Sequence, residues 1–321
     1  MTKMLGVLVA LVLGFVAVGT AGAQTFPNRP LRIVMGFGPG GFADITMRLL
    51  GQKLTEITGQ QVVIENRPSA GGMIAAAAVS STAPDGYTLF VLSSAVTIAQ
   101  SLLKTMPFDP RTAFAPVSTA AYFDLLILTK GDSPLRSIED VLALARTDPA
   151  KFNIGTVVPG STQNVTAELL RSVTSIPMTI VPYRSTPEVM TALIRGDIQI
   201  AVDSYAALKA PIDAGQVRAV AGTGDVRSPR LPDVPTLKEK GINAEVVGWN
   251  ALVVPAATPP ETVALLNRHI NTAVATPEFR QRMLDFGTLA KGSTPEEMRA
   301  RIVADIDKWA AVIKQAGIEP R

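Results

Sequence analysis

The sequence predicts an α/β protein of two lobes, each a mostly parallel sheet flanked by helices, with a ligand cleft between them. Three observations carry this. Strand-like and helix-like segments alternate through most of the chain, the pattern that parallel sheets and their crossover helices produce. The alternation comes in two sets, and the second set has enough strands for a sheet of its own. Past Ala221 a proline-punctuated stretch, Ser228-Pro-Arg-Leu-Pro-Asp-Val-Pro235, leads into one more strand and three helical segments. If the chain crosses back there, residues 24–124 and 223–321 form a discontinuous first lobe and residues 125–222 the second. Closure would be hinge motion, absorbed near Asp124 and Gly222–Gly224.

The N-terminus sets the compartment. Lys3 precedes an uncharged apolar run from Met4 to Val18, and Ala21-Gly22-Ala23 is a small-x-small cleavage pattern. This predicts a secretory signal, residues 1–23, cut after Ala23 and leading to a periplasm-like compartment. No twin arginine precedes the run, so export is expected in an unfolded form. The competing reading is an uncleaved anchor, because Met4 to Ala23 is just long enough to span a bilayer. The chain has no cysteine, which excludes disulfides and thiolate catalysis. About 300 residues remain after cleavage, enough for two domains. The net charge of +3 is scattered, and no basic run interleaved with aromatics suggests nucleic acid.

In order, the mature chain begins with a buried strand, Leu31–Met35. A glycine loop follows, Gly36-Phe-Gly-Pro-Gly-Gly41, and then a helix, Ala43–Thr58, with apolar residues at helical spacing. Such a loop aims backbone N–H groups and the positive end of a helix at one point, which suits an anion. Gly36-x-Gly38-x-x-Gly41 also matches a dinucleotide fingerprint, with Glu65 placed where a ribose-binding acid would stand. Against that reading, Pro39 sits where N–H groups are wanted, and export unfolded suits a nicotinamide enzyme poorly. Strand Val62–Glu65, an alanine-rich helix from Gly72 to Ser81, the Pro84-Asp85-Gly86 turn and strand Tyr87–Leu92 complete the first set. That last strand ends in Ser93-Ser94, at the carboxyl ends of the strands where ligands collect in α/β sheets.

The second set opens with strand Leu125–Thr129 after the Pro107-Phe-Asp-Pro110 loop. It continues with helix Ile138–Arg146, strand Phe152–Thr156, loop Val158–Gln163 and helix Asn164–Val173. Strand Thr179–Tyr183, helix Glu188–Ile194, strand Ile198–Val202, helix Ala206–Ala214 and strand Val217–Ala221 close it. Gly160-Ser161-Thr162 lies between a strand and a helix N-terminus, a second place suited to an anion. Beyond it, Glu245–Val254 reads as a strand around Trp249. The segments Pro260–Val274, Pro277–Phe286 and Pro295–Ala316 read as helices.

A resemblance enters on particular residues: Pro27-x-Arg29-Pro30-Leu-Arg-Ile-Val, Gly38-Pro-Gly-Gly41-x-x-Asp44, Gly59-Gln60-x-Val-Val-Ile-Glu65-Asn-Arg67-Pro, Gly71-Gly72 and Pro84-Asp85-Gly86-Tyr87-Thr-Leu. It continues through Val181-Pro-Tyr183, Leu231-Pro-Asp-Val-Pro-Thr236, Pro255-x-x-Thr258-Pro259 and Ala316-Gly317-Ile318. Together they resemble the Bug family, the extracytoplasmic solute receptors of tripartite tricarboxylate transporters. The resemblance implies a two-lobed periplasmic-binding-protein fold of type II-like form. It also implies a monomer that binds a small organic carboxylate and delivers it to a permease of one large and one small membrane subunit. Carried over by position, it puts Phe37, Gly38, Gly41, Phe42 and Asp44 in a first ligand-binding loop, with Ser93 and Ser94 beside it. Gly160, Ser161, Thr162 and Asn164, then Arg184 and Ser185, then Asp203, form the opposing wall. Many members carry histidine where this chain has Asn164, and Lys-Gly where it has Arg184-Ser185.

Each of these residues also has a plainer reading. Asp44 would be repelled by a nearby carboxylate, so it is expected to accept from loop amides, water or a ligand amino group, or simply to favour the helix start. Arg184 could pair bidentately with a second ligand carboxylate or sit in solvent. Asp203 could orient water or an ammonium group, or be an ordinary acid at a strand end. The hydroxyl residues could bind an anion or cap turns. No enzyme is expected, since a single histidine, His269, and no cysteine leave no zinc cluster, and no Gly-x-Ser-x-Gly elbow is present. Trp249 and Trp309 are expected to be packing residues. Transport and ligand sensing stay indistinguishable, because both would use the same closed form. A mono- or dicarboxylate suits a pocket of amides and hydroxyls with one arginine better than a fully ionised tricarboxylate.

Overall fold

The computed structural model describes residues 26–69, 72–228 and 230–315. The expected signal segment, Gly71 and the terminal Ala316-Gly317-Ile318 lie outside the described residues. None of the described helices is long and apolar enough to cross a membrane.

Two sheets organise the chain. The first has the order β11-β4-β10-β3-β1-β2, built from β1 (Leu31–Met35), β2 (Val62–Asn66), β3 (Thr88–Ser93), β4 (Phe114–Asp124), β10 (Val247–Pro255) and β11 (Leu289–Ala290). The second has the order β7-β6-β8-β5-β9, from β5 (Leu126–Lys130), β6 (Asn153–Thr156), β7 (Thr179–Pro182), β8 (Ile200–Asp203) and β9 (Val217–Gly222). In the first sheet β2, β1, β3 and β4 run one way against β10 and β11. In the second, β7, β6, β8 and β9 run one way against β5. Each sheet is thus mostly parallel in direction, and in each the strand that enters from the other lobe, β10 or β5, runs against its neighbours. A strand arriving from across the cleft has no crossover helix, which is why its pairing is antiparallel.

The helices cover these sheets: α1 (Phe42–Thr58), α2 (Met73–Ser80), α3 (Ser94–Leu102), α4 (Ile138–Thr147), α5 (Thr162–Thr174), α6 (Thr186–Arg195), α7 (Tyr205–Asp213), α8 (Pro260–Ala275), α9 (Pro277–Asp285) and α10 (Pro295–Gln315). The periodic reading places nearly all of these elements within a residue or two. It does not contain α3, β4 or β11. α3 begins directly from β3 without a turn residue, and β4 (FAPVSTAAYFD) is half alanine and hydroxyl residues, so neither shows the punctuation or β-branched run that marks an element. Trp249 and Trp309 are both buried, and the Trp249 indole N–H donates to Asp305 on α10, which fits their reading as packing residues.

The chain passes between the sheets twice, at residues 124–126 and between Gly222 and Val247, and Thr223 ties the two passages together. Its hydroxyl accepts from Leu125 N at 2.9 Å and donates to the Val246 carbonyl at 2.7 Å, while its own N–H meets the Leu125 carbonyl at 2.8 Å. A fully buried hydroxyl with both roles filled joins the ends of β5, β9 and β10 without adding a bulky side chain at the bend.

Candidate ligand-binding site

The carboxyl ends of the strands of both sheets face one cavity of ≈ 40 Å³ between the lobes. From the first lobe it takes Phe37, Gly38 and Gly41 from the β1–α1 loop and Phe42, Ala43 and Asp44 from the start of α1, with Ser93 and Phe123 near strand ends and Asn250 within β10. From the second it takes Val157, Val158, Thr162, Gln163, Arg184, Ser185 and Thr186.

Three helices begin at this cavity. α1 starts from Gly41, α3 from Ser93 and α6 from Ser185; each N-cap residue lines the cavity, and none of the three caps its helix with its side chain. The first-turn N–H groups therefore keep the positive ends of three helices directed at one volume. α5 differs, because Ser161 caps it, accepting from Asn164 N at 3.1 Å.

Asp44 does not present its charge to the cavity. Its carboxylate accepts from Gly40 N and Asn66 Nδ2, both at 3.0 Å, and pairs with Arg48 at 2.8 Å. Burial pushes this carboxyl up, but the Arg48 guanidinium with the Gly40 and Asn66 donors outweighs burial and holds it below the usual carboxylate range. The group is charged and internally satisfied, a clasp that fixes the glycine loop. Asp44→Ala leaves the Gly40 N–H and the Asn66 amide without their acceptor. It is expected to cost about 2–3 kcal/mol in urea denaturation at neutral pH. A lowered folded pKa contributes stability above the ordinary carboxylate value that is lost as pH falls through the folded one. The gap between parent and variant must therefore narrow in acid; a gap independent of pH would show that the charge has no part in the clasp.

Asp203 is fully buried behind the second lobe's wall rather than in it. It accepts from Thr186 Oγ1 at 2.6 Å, Ser204 N at 2.8 Å and Gln163 Nε2 at 3.1 Å. Burial raises its carboxyl above the usual range against these three donors. Thr186 and Gln163, which it fixes, do line the cavity. Gly160, Ser161 and Asn164 also lie outside the lining and form a helix-start network: Gly160 N donates to Asn164 Oδ1 at 3.1 Å, and Asn164 Nδ2 donates to Thr156 Oγ1 at 3.2 Å. Ser94 is buried at the lobe junction, where its hydroxyl meets Thr162 Oγ1 at 3.2 Å across the cleft. Arg184 is exposed at the rim and supplies the one cationic side chain among the described lining residues.

The first five loop residues expected from the sequence thus line the cavity, with Ser93, Thr162, Arg184 and Ser185, whereas Ser94, Gly160, Ser161, Asn164 and Asp203 support it. Sequence reasoning missed Asn250, Gln163, Thr186 and the apolar Phe123, Val157 and Val158. Gln163 and Thr186 stood beside named residues, whereas Asn250 lies within β10 at a register slip against β4 that no sequence pattern shows. The glycine pattern does not form a dinucleotide site's acid partner: Glu65 is taken up by Arg67 at 2.6 Å and Arg32 at 3.4 Å.

The lobes are in contact across this cavity. A Cβ on Gly38 would lie 2.7 Å from the Arg184 carbonyl oxygen and 3.1 Å from Ser185 Cβ, and Gly40, at φ +81°, faces Pro187.

Comparison with known proteins agrees with this architecture. Residues 46–318 match the family described as tripartite tricarboxylate transporter family receptor. Among solved structures, the periplasmic binding protein BugD superposes with a TM-score of 0.88 at 28% identity, covering 92% of this chain and 100% of that one. MatC from Rhodopseudomonas palustris, solved with bound malate, gives 0.85 at 28% identity over 90% and 100% of the two chains. R. palustris Rpa4515, solved with adipate, gives 0.87 at 31% over 92% and 100%. These relatives are solute-binding proteins and not enzymes, and the two-lobed fold is theirs. The chain belongs to the tripartite tricarboxylate transporter receptor family, as a Bug-type solute-binding protein of the periplasmic-binding-protein fold.

Proposed function

We propose that this receptor captures a small mono- or dicarboxylate between its lobes and presents the closed form to a tripartite permease with one large and one small membrane subunit. The convergence of three helix N-termini without side-chain caps on one cavity carries the reading. Backbone N–H groups and helix dipoles favour an anion there without a buried cation. A single rim arginine, Arg184, suits one further carboxylate. The relatives solved with malate and adipate support the same ligand class. In this reading the lobes are 24–124 with 223–321, and 125–222, and the hinge lies at the crossings joined by Thr223, whose hydrogen bonds support it.

The test is thermal denaturation of residues 24–321 with succinate, malate, adipate, citrate and NAD. A ligand that binds only the folded form raises the melting temperature by several degrees at about a hundredfold excess over its dissociation constant. Shifts with mono- or dicarboxylates are expected. A shift with NAD alone would remove the carboxylate reading, and citrate binding far more tightly than the others would remove the ranking. Delivery and compartment are read in one culture: the periplasmic fraction should contain a chain starting at Gln24, and uptake of the labelled ligand should stop when either permease subunit is deleted. Uptake unchanged by those deletions would favour a sensor role.

A further inference from the structure

Two buried polar groups on the cavity wall have no hydrogen-bond partner: Ser93 Oγ and Asn250 Nδ2. Both residues are 2% exposed, both line the cavity, and they stand opposite each other in the β3–β10 pairing. Burying such groups unpaired costs free energy, so buried donors are normally matched. Local alternatives exist and are not used. Ser93 is the N-cap of α3, where a serine hydroxyl commonly accepts from the first turn, yet it makes no such bond. Asn250 sits where the β10–β4 register slips, facing Ala121 while Ala251 faces Thr119. A bulge of this kind re-aims a side chain away from the regular pleat.

We propose that Ser93 Oγ and Asn250 Nδ2 form a subsite for an uncharged oxygen of the ligand, a hydroxyl or keto oxygen carried beside its carboxylate. This rests on the carboxylate reading and narrows it. Two neutral donors fill both lone pairs of a keto oxygen, and with a ligand hydroxyl the Ser93 oxygen can instead accept the ligand's proton. They are poor compensation for a second carboxylate in a desolvated place. The rim Arg184, on the opposite lobe, is the better placed group for any second carboxylate. The Ser93 and Asn250 side chains then read the oxygen substituent and the backbone N–H groups of the helix starts read the charge.

Calorimetric titration of two matched pairs tests this: succinate against malate, and glutarate against 2-oxoglutarate. The members of each pair differ only in the added hydroxyl or keto oxygen. The parent protein is expected to bind at least one oxygen-bearing member about tenfold or more tightly than its partner. In Ser93→Ala and Asn250→Leu that gap should close to within about threefold. The ligand-free melting temperature should not fall, since an unmet polar group has been removed. Ser93→Ala is the smaller change and decides the matter if Asn250→Leu does not fold. Equal affinities within both pairs in the parent, or a gap that survives in the folded variants, overturns the subsite while leaving the carboxylate reading in place. Binding of none of the four acids would remove the carboxylate reading and the subsite with it.

Discussion

Gly38→Val is expected to abolish ligand binding, by about a hundredfold or more, while leaving the ligand-free protein folded with an almost unchanged melting temperature. The argument is steric and specific to closure. A side chain at position 38 meets the Arg184 carbonyl oxygen at 2.7 Å and Ser185 Cβ at 3.1 Å, and both belong to the other lobe. Contact with a fixed carbonyl oxygen at that distance cannot be relieved by turning a side chain, so the lobes must stay apart. Separation takes the α6 N-terminus, Ser185 and Thr186 out of reach of whatever the β1–α1 loop holds. Gly36 is the control within the same loop. A Cβ there lies 2.1 Å from Gly72 Cα, a contact inside the first lobe, so Gly36→Ala should lower stability itself, by about 2–4 kcal/mol. Denaturation and titration of the two variants separate the effects. If Gly38→Val binds like the parent, the contact between the lobes is not part of the liganded state.

The same pair of glycines marks what the sequence could and could not disclose. That the β1–α1 loop is glycine-rich and aimed at an anionic group was legible, because a strand feeds a helix through Gly36–Gly41. Which glycine answers to which neighbour was not, because the partners, Gly72 and the 184–187 loop, lie far along the chain. The two lobes were legible through alternating elements and a proline-marked return. α3 was hidden, since Ser94–Leu102 follows β3 with no turn residue between. β4 was hidden because its small and hydroxyl residues carry little strand propensity, and it is a strand because it lies beside β10. The site followed the same rule. For Asp44 the sequence left loop amides, water, a ligand amino group and a plain helix-start role open, and the structure puts its carboxylate on Gly40 N. Asn250 was out of reach, since its importance comes from a register slip between two strands distant in sequence. Ser161 and Asn164 have the composition of an anion loop, but their hydrogen bonds are spent on starting α5.

Asp203 yields the second large effect, and its sign differs between two substitutions. Asp203→Ala deprives Thr186 Oγ1, Gln163 Nε2 and Ser204 N of a common acceptor in a place with no solvent. Three unmet donors should cost about 3 kcal/mol or more. Ligand affinity should fall too, because Thr186 and Gln163 carry the second lobe's side of the cavity. Asp203→Asn keeps the shape: its carbonyl oxygen can accept from Gln163 and Ser204, and its amide can donate to the Thr186 hydroxyl, which accepts as readily as it donates. What it removes is a desolvated charge. Burial raises the Asp203 carboxyl in the folded protein, so the unfolded chain loses this proton first. The parent therefore forfeits stability as pH rises from the ordinary carboxylate value through the raised folded one. Asp203→Asn has no such loss. Its melting temperature should equal or exceed the parent's at neutral pH, with the difference shrinking toward zero in acid, the opposite trend to Asp44→Ala. Thermal melts across that range decide it, and an asparagine variant as damaged as the alanine variant at every pH would mean that the wall depends on the charge itself. In that case Asp203 would act on the ligand electrostatically through Thr186 and Gln163 rather than as a neutralisable anchor for them.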